Sequence, residues 1–137
     1  MIFRKKTLGS FKNIEYSMSG MRFSHIYKIR NDGETAAIAL YNRFNEEKGP
    51  LAEASCPAHE MLDALNRYGA GNWDGFHGKH PRGVLDGIMF RFEATVNGGV
   101  TIEARGSQNF PKHFHDFTSS IDEHLREAEK EAKQENE

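Results

Sequence analysis

The sequence predicts an α+β domain: an antiparallel sheet of about five strands, in the order β-β-β-α-loop-β-β-α, with two helices packed on one face. Three observations predict it. Apolar and polar residues alternate over Phe11–Met18 and again from Met21, the period of half-buried strands. Two turn signals, Asn31-Asp32-Gly33-Glu34 and Asn97-Gly98-Gly99, supply residues that tolerate the positive φ a hairpin needs. Two segments, 56–68 and 111–130, carry apolar residues at helical spacing.

The first strand turns Ile14, Tyr16 and Met18 one way. After Ser19-Gly20 the second turns Met21, Phe23, His25, Tyr27 and Ile29 one way and Arg22, Ser24, Lys28 and Arg30 the other. Thr35 to Phe44 returns as a third strand, and Asn45 to Ala54, with Gly49-Pro50, reads as a loop. Ser55 is the expected N-cap of a helix with Pro57 in its first turn, a stripe of Ala58, Met61, Leu62, Leu65 and Tyr68, and a stop at Gly69. Residues 69–87 form a long glycine-rich loop holding Trp73, Phe76, His77, His80 and Pro81, and a loop of that length in a small domain tends to carry function. Ile88, Phe90, Phe92, Ala94 and Val96 give the inward face of a fourth strand, and Val100, Ile102 and Ala104 that of a fifth. Asn109 or Phe110 then caps a helix with Pro111 in its first turn and Phe114, Phe117, Ile121, Leu125 and Ala128 on its apolar stripe.

A chain of 137 residues is one domain's worth, expected over 1–137 with 1–10 and 130–137 frayed. The single cysteine, Cys56, excludes an internal disulfide framework. No segment approaches the roughly 18 consecutive apolar residues of a membrane helix, and the basic N-terminus lacks a secretory apolar region, so the expected location is cytoplasmic and no membrane partner is expected. A net charge of −2 removes the global argument for nucleic acid. The ends still differ: residues 1–30 hold seven Lys or Arg against Glu15, while from Asp116 onward eight acids face three bases. The plain reading is two solvated faces, or an acidic helix near basic strands.

From Asp86 to Leu125 the chain resembles small, mostly bacterial proteins of no assigned activity. The matching residues are the strand opening Asp86-Gly87, the turn Asn97-Gly98-Gly99, and Gly106, Asn109 and Pro111 within GSQNFP ahead of the terminal helix. The resemblance implies the fold. Its motifs are structural punctuation and bring no catalytic residue.

Among chemistry-bearing residues, Cys56 and His59 stand three apart, as do His77 and His80, and the glycine loop could fold the second pair onto the first. Zinc wants such ligands, but no CxxC or HExxH spacing is present, and His113 and His115 point roughly 200° apart on a helix. The reading is therefore no metal, no cofactor and no catalytic residue, with Cys56, His59, His77 and His80 the candidates if a metal binds. Cys56 beside Pro57 reads as a small packed residue and not a nucleophile, and Glu46-Glu47 as solvated charge. Arg105, Ser107, Asn109 and Lys112 surround a helix N-terminus and are the candidate anion-binding set, against the commoner reading of Ser107 or Asn109 as a cap. His25 reads as a strand histidine at the core's rim. Trp73 and Phe76 read as anchors pinning their loop, before any role in stacking on a base or sugar.

Fold signals are abundant and catalytic ones are missing. The leading expectation is a non-enzymatic interaction module that binds a protein partner or itself, through a basic sheet face (Arg22, Lys28, Arg30, Arg91, Arg105) or an exposed edge. The alternative is a small-molecule or metal-dependent enzyme using the 69–87 loop. RNA on the basic face is weaker, because that face lacks the aromatic pattern of RNA-binding sheets.

Overall fold

A computed structural model of the chain describes residues 7–79 and 87–135. It is an α+β fold: one mixed sheet of seven strands with two α-helices on a single face. The strands are β1 (Phe11–Ser19), β2 (Ser24–Asn31), β3 (Thr35–Asn42), β4 (Ala52–Pro57), β5 (His77–Gly78), β6 (Met89–Val96) and β7 (Val100–Ser107); the helices are α1 (Ala58–Arg67) and α2 (Phe114–Glu135). Spatial order is β4-β3-β2-β1-β6-β7-β5. The predicted meander and hairpin join through β1 and β6, which pair antiparallel from Ser19 opposite Met89 to Phe11 opposite Val96, with a bulge between Phe11 and Asn13. That bulge lets Phe11 and Ile14 both reach the core despite their odd spacing.

Two strands were not predicted. Ala52–Pro57 reads as loop because Ala, Glu and Ser carry little β-propensity, yet it pairs antiparallel with β3, Cys56 opposite Ala36. Ser55 is therefore a strand residue and not a cap: α1 begins at Ala58, Pro57 stands at its N-terminus without a side-chain cap, and the Ala58 N–H donates to Glu34 O. β5 lies inside the glycine loop and pairs parallel with β7, which makes the sheet mixed and not purely antiparallel. The stop at Gly69 is as expected, at φ 75°. The chain between β3 and β4 winds through a 3-10 turn, Arg43–Lys48, and the second strand starts at Ser24, leaving Met21 and Arg22 in the turn before it.

α2 starts three residues later than predicted and runs further, to Glu135. Its start is displaced because the Lys112 carbonyl accepts the Trp73 indole N–H and His113 takes a left-handed φ of 66°. Residues 8–10 are likewise anchored: Leu8 is buried, and the Asn66 amide accepts the Leu8 N–H at 2.7 Å and donates to its carbonyl at 3.0 Å.

The core lies between the helices and the sheet. Trp73 stands edge-on to Phe92, Phe114 and Phe117, and Tyr16 stacks on Tyr27 at 4.5 Å, so the loop-anchor reading of Trp73 is the one the packing shows. The Tyr27 hydroxyl donates to Asp122 at 2.8 Å, while the Tyr16 hydroxyl, buried beside it, has no hydrogen-bond partner among the described residues. A buried hydroxyl without a partner costs stability, so Tyr16→Phe should raise stability by about 1 kcal/mol in urea unfolding, and a loss would show the hydroxyl to be satisfied.

Both phenols also titrate high. Burial is the main cause for each, reinforced for Tyr16 by Tyr27 and for Tyr27 by its hydrogen bond to Asp122. A folded pKa above the unfolded value of about 10 means stability is fully present below that pH and is lost as pH rises through the folded values. The melting temperature should accordingly fall above about pH 10, and less steeply in Tyr16→Phe/Tyr27→Phe. An alkaline limb identical in the double variant would exclude these phenols as its cause.

Candidate functional site

Helices cover one face of the sheet, and among the described residues the other is open. Alternation along the strands dictates what that face shows: Glu15, Ser17 and Ser19 on β1, Ile26 and Lys28 on β2, Met89, Arg91 and Glu93 on β6, Glu103, Arg105 and Ser107 on β7. Two hollows lie across it. A groove of about 800 Å³ runs from Ile26 and Arg43 over the floor of β1, β6 and β7 to His77 and Lys79 on the far side. A second, of about 700 Å³, spreads over β1 to β4 between Asn13, Tyr41 and Glu53, and the two share Glu15 and Glu93.

Register orders the charges on the floor into rows. Arg91 stands directly opposite Arg105, and His77 is the register partner of Arg105 on its other side. One rung along, Glu93 stands opposite Glu15 on β1 and Glu103 on β7. A basic row thus runs beside an acidic row, about 7 Å away at two residues per rung. The open face is not uniformly basic, as the sequence reading had it; Arg22 has left it, and carboxylates interleave with the remaining cations.

Like charges directly opposite are destabilising, by about 0.2–1 kcal/mol per pair. Among the described residues the ion pairs involve Lys28, Arg30, His113, Lys130 and Lys133, and none relieves Arg91 or Arg105. Arg91→Gln should therefore raise stability by about 0.5 kcal/mol in urea unfolding. An equal loss would mean that the guanidinium holds the sheet together.

One wall of the groove is fixed to the floor. Lys28 bonds Glu46 of the 3-10 turn at 3.1 Å, reaches Glu15 at 3.9 Å and lies 5.1 Å from the centre of the Tyr41 ring. The hydrogen bond to Glu46 raises the Lys28 pKa and keeps it charged. Asn42 caps the same turn by accepting the Phe44 N–H at 2.9 Å. Beside the groove, Met21, Phe44 and Met89 are exposed to 82%, 71% and 61%, a run of large apolar side chains left in water at one end of the sheet.

The predicted candidates scatter. Cys56 is buried on β4 with its thiol pushed up by burial and by Glu60, which opposes a reactive thiolate. His59 is exposed on α1. His77 is on β5, at the opposite edge of the sheet, roughly 29 Å from β4 at about 4.8 Å per strand, so His77 is not brought to the Cys56 and His59 pair. His80 lies outside the described residues, as does Asp86. No group of three or more His, Cys, Asp or Glu is placed to hold a metal ion among the described residues.

Of the anion set, the structure brings Arg105 and Ser107 into the groove and leaves Asn109 and Lys112 out of its lining. The Asn109 carbonyl packs against Gly78 and Gly106, and Lys112 spends its carbonyl on Trp73. His113 bonds Asp116 at 3.0 Å, His115 packs on Phe110, and half-buried His25 lies 5.6 Å from the Phe23 ring. Glu93, Glu103, Arg43 and Lys79 were not among the candidates, and Arg91 was expected only as part of the basic sheet face. Counting outward from the Asn97 turn pairs Arg91 with Arg105 and Glu93 with Glu103, and that count was available in the sequence.

No family model matches the chain, and neither the curated proteins nor the solved structures supply a match. Among the described residues no helix is long and apolar enough to cross a membrane.

Proposed function

We propose that this protein is a non-enzymatic interaction module, with a protein partner or a second copy of itself seated on the open sheet face. The observation that carries the reading is the uncovered face itself: among the described residues helices stand on one side of the sheet only, and the other side offers two confluent hollows, the larger lined by exposed Met89, with exposed Met21 and Phe44 at the same end of the sheet. Exposed apolar side chains beside an ordered charge pattern are the make-up of a docking surface, apolar contact supplying affinity and charge selecting the partner. The only thiol lies in the core at the far edge of the sheet, away from the groove. Of the alternative, an enzyme built on the 69–87 loop, the groove keeps His77 and Lys79 as lining residues.

The test is a photo-crosslinking amino acid placed at Met89 on the open face or at Asp63 on the exposed side of α1, with light scattering to detect self-association. Capture of the same partner, or of a second copy, from Met89 and not from Asp63 is the expected result. Capture from Asp63 alone, or no capture at Met89 with a monomer throughout, would overturn the reading.

A further inference from the structure

The basic row has a more specific use. We propose that Arg91, Arg105 and His77 form an anion site for a phosphate monoester group, whose organic body lies over Ile26 and Met89 in the same groove. The proposal rests on the open face being the binding face, and names the chemistry that it selects.

The fork of one arginine already satisfies both oxygens of a carboxylate. Two arginines directly opposite each other, with His77 in register beside Arg105 and Arg43 and Lys79 on the two walls, offer more donors and more charge than a carboxylate can use. A phosphate monoester carries close to two negative charges and three acceptor oxygens, and can take a fork from each side. Neither arginine makes an ion pair among the described residues, so their forks are not already committed. Repulsion between them is a standing cost that a bound dianion removes.

The acidic row Glu15, Glu93 and Glu103 sets the other limit. It runs about one rung away and repels a second phosphate there, so the site suits one compact anion and not the repeating backbone of a nucleic acid. The groove's volume of about 800 Å³ is that of a pocket for a small organic molecule or for one modified side chain and its neighbours. Met89 gives that body apolar contact on the side away from the acids, and Ile26 gives it in the basic row itself, across Ser17 from Arg91.

The experiment is a titration of the full chain followed by NMR of the arginine side chains and backbone amides, at fixed ionic strength. The probes are inorganic phosphate, phenyl phosphate, a phosphoserine tripeptide and benzoate. Saturable shifts at Arg91, Arg105 and His77 with all three phosphates and not with benzoate are expected, weakened about tenfold or more in Arg91→Gln and in Arg105→Gln. Tighter binding of phenyl phosphate would point to a small organic phosphate as the source, and tighter binding of the tripeptide to a phosphorylated chain. Both variants are on exposed positions, and Arg91→Gln should melt higher than the parent in phosphate-free buffer, which separates loss of the site from loss of the fold. No saturable shift at millimolar phosphate, equal binding of benzoate, or unchanged shifts in both variants would overturn the proposal. A chain that captures a partner at Met89 yet ignores phosphate loses the anion site alone; one that binds phosphate yet captures nothing loses the docking reading instead.

Discussion

Replacing Phe92 by Ala should cost about 3–5 kcal/mol, measured by urea unfolding. Phe92 is fully buried at the centre of β6, and its ring meets Trp73 at 5.1 Å, Phe117 at 6.2 Å and Phe114 at 6.3 Å, all edge-on. Removing it takes one wall from a cluster contributed by the sheet, the glycine loop and α2 together. The rings around the void cannot collapse into it without moving α2, so the cavity penalty adds to the lost transfer energy. Phe117→Ala should cost as much for the same reason, whereas Phe44→Ala, at an exposed position, should stay within about 0.5 kcal/mol. Small losses at both Phe92 and Phe117 would mean that the helices do not pack on the sheet as described.

Gly106→Ala is the second large effect, with a cost of about 3 kcal/mol. A Cβ at Gly106 would fall on the Asn109 carbonyl oxygen, 2.7 Å from Phe90 Cε1 and 3.2 Å from the Gly78 Cα. At Gly78 a Cβ would lie 2.5 Å from the same carbonyl. Two of these neighbours are backbone and cannot rotate aside, so β5 must leave β7 or the 109–110 segment must move. If β5 leaves β7, His77 separates from Arg105 and Gly106→Ala should also lose phosphate binding while Arg105 itself is intact. Calorimetry together with the phosphate titration checks both halves. A variant with parental stability would show that the 109–110 segment yields freely, contrary to its close packing here.

How much was legible follows from which forces are local. Strands with clean alternation, such as Met89–Val96, announce their period, and the Asn97-Gly98-Gly99 turn takes positive φ at all three residues as its composition requires. Helix stripes such as Phe114, Phe117, Ile121 and Leu125 are legible for the same reason. β4 was not, because Ala52–Pro57 is a strand through its ladder to β3 and not through its own side chains. β5 was not, because two residues carry no period at all.

The site divides along the same line. The hairpin turn fixes Arg91 against Arg105 from sequence alone, but the pairing of Glu15 with Glu93, which completes the acidic row, depends on β1 meeting β6 across most of the chain. Reading Arg105 and Ser107 as helix-terminus donors grouped them with Asn109 and Lys112 by proximity in sequence. Neighbours in register, not in sequence, turned out to share their groove.

The central claim is that the open sheet face is where this protein binds. Methionine methyl NMR tests it most directly, because Met89 and Met21 report on the open face and its rim while Met61 reports on the core beneath α1. On addition of the partner recovered by crosslinking, or on raising the concentration if the partner is a second copy, the Met89 and Met21 methyl signals should shift or broaden while Met61 stays in place. Unmoved Met89 and Met21 signals, with changes confined to the exposed side of α1 at His59, Asp63 and Arg67, would contradict the account.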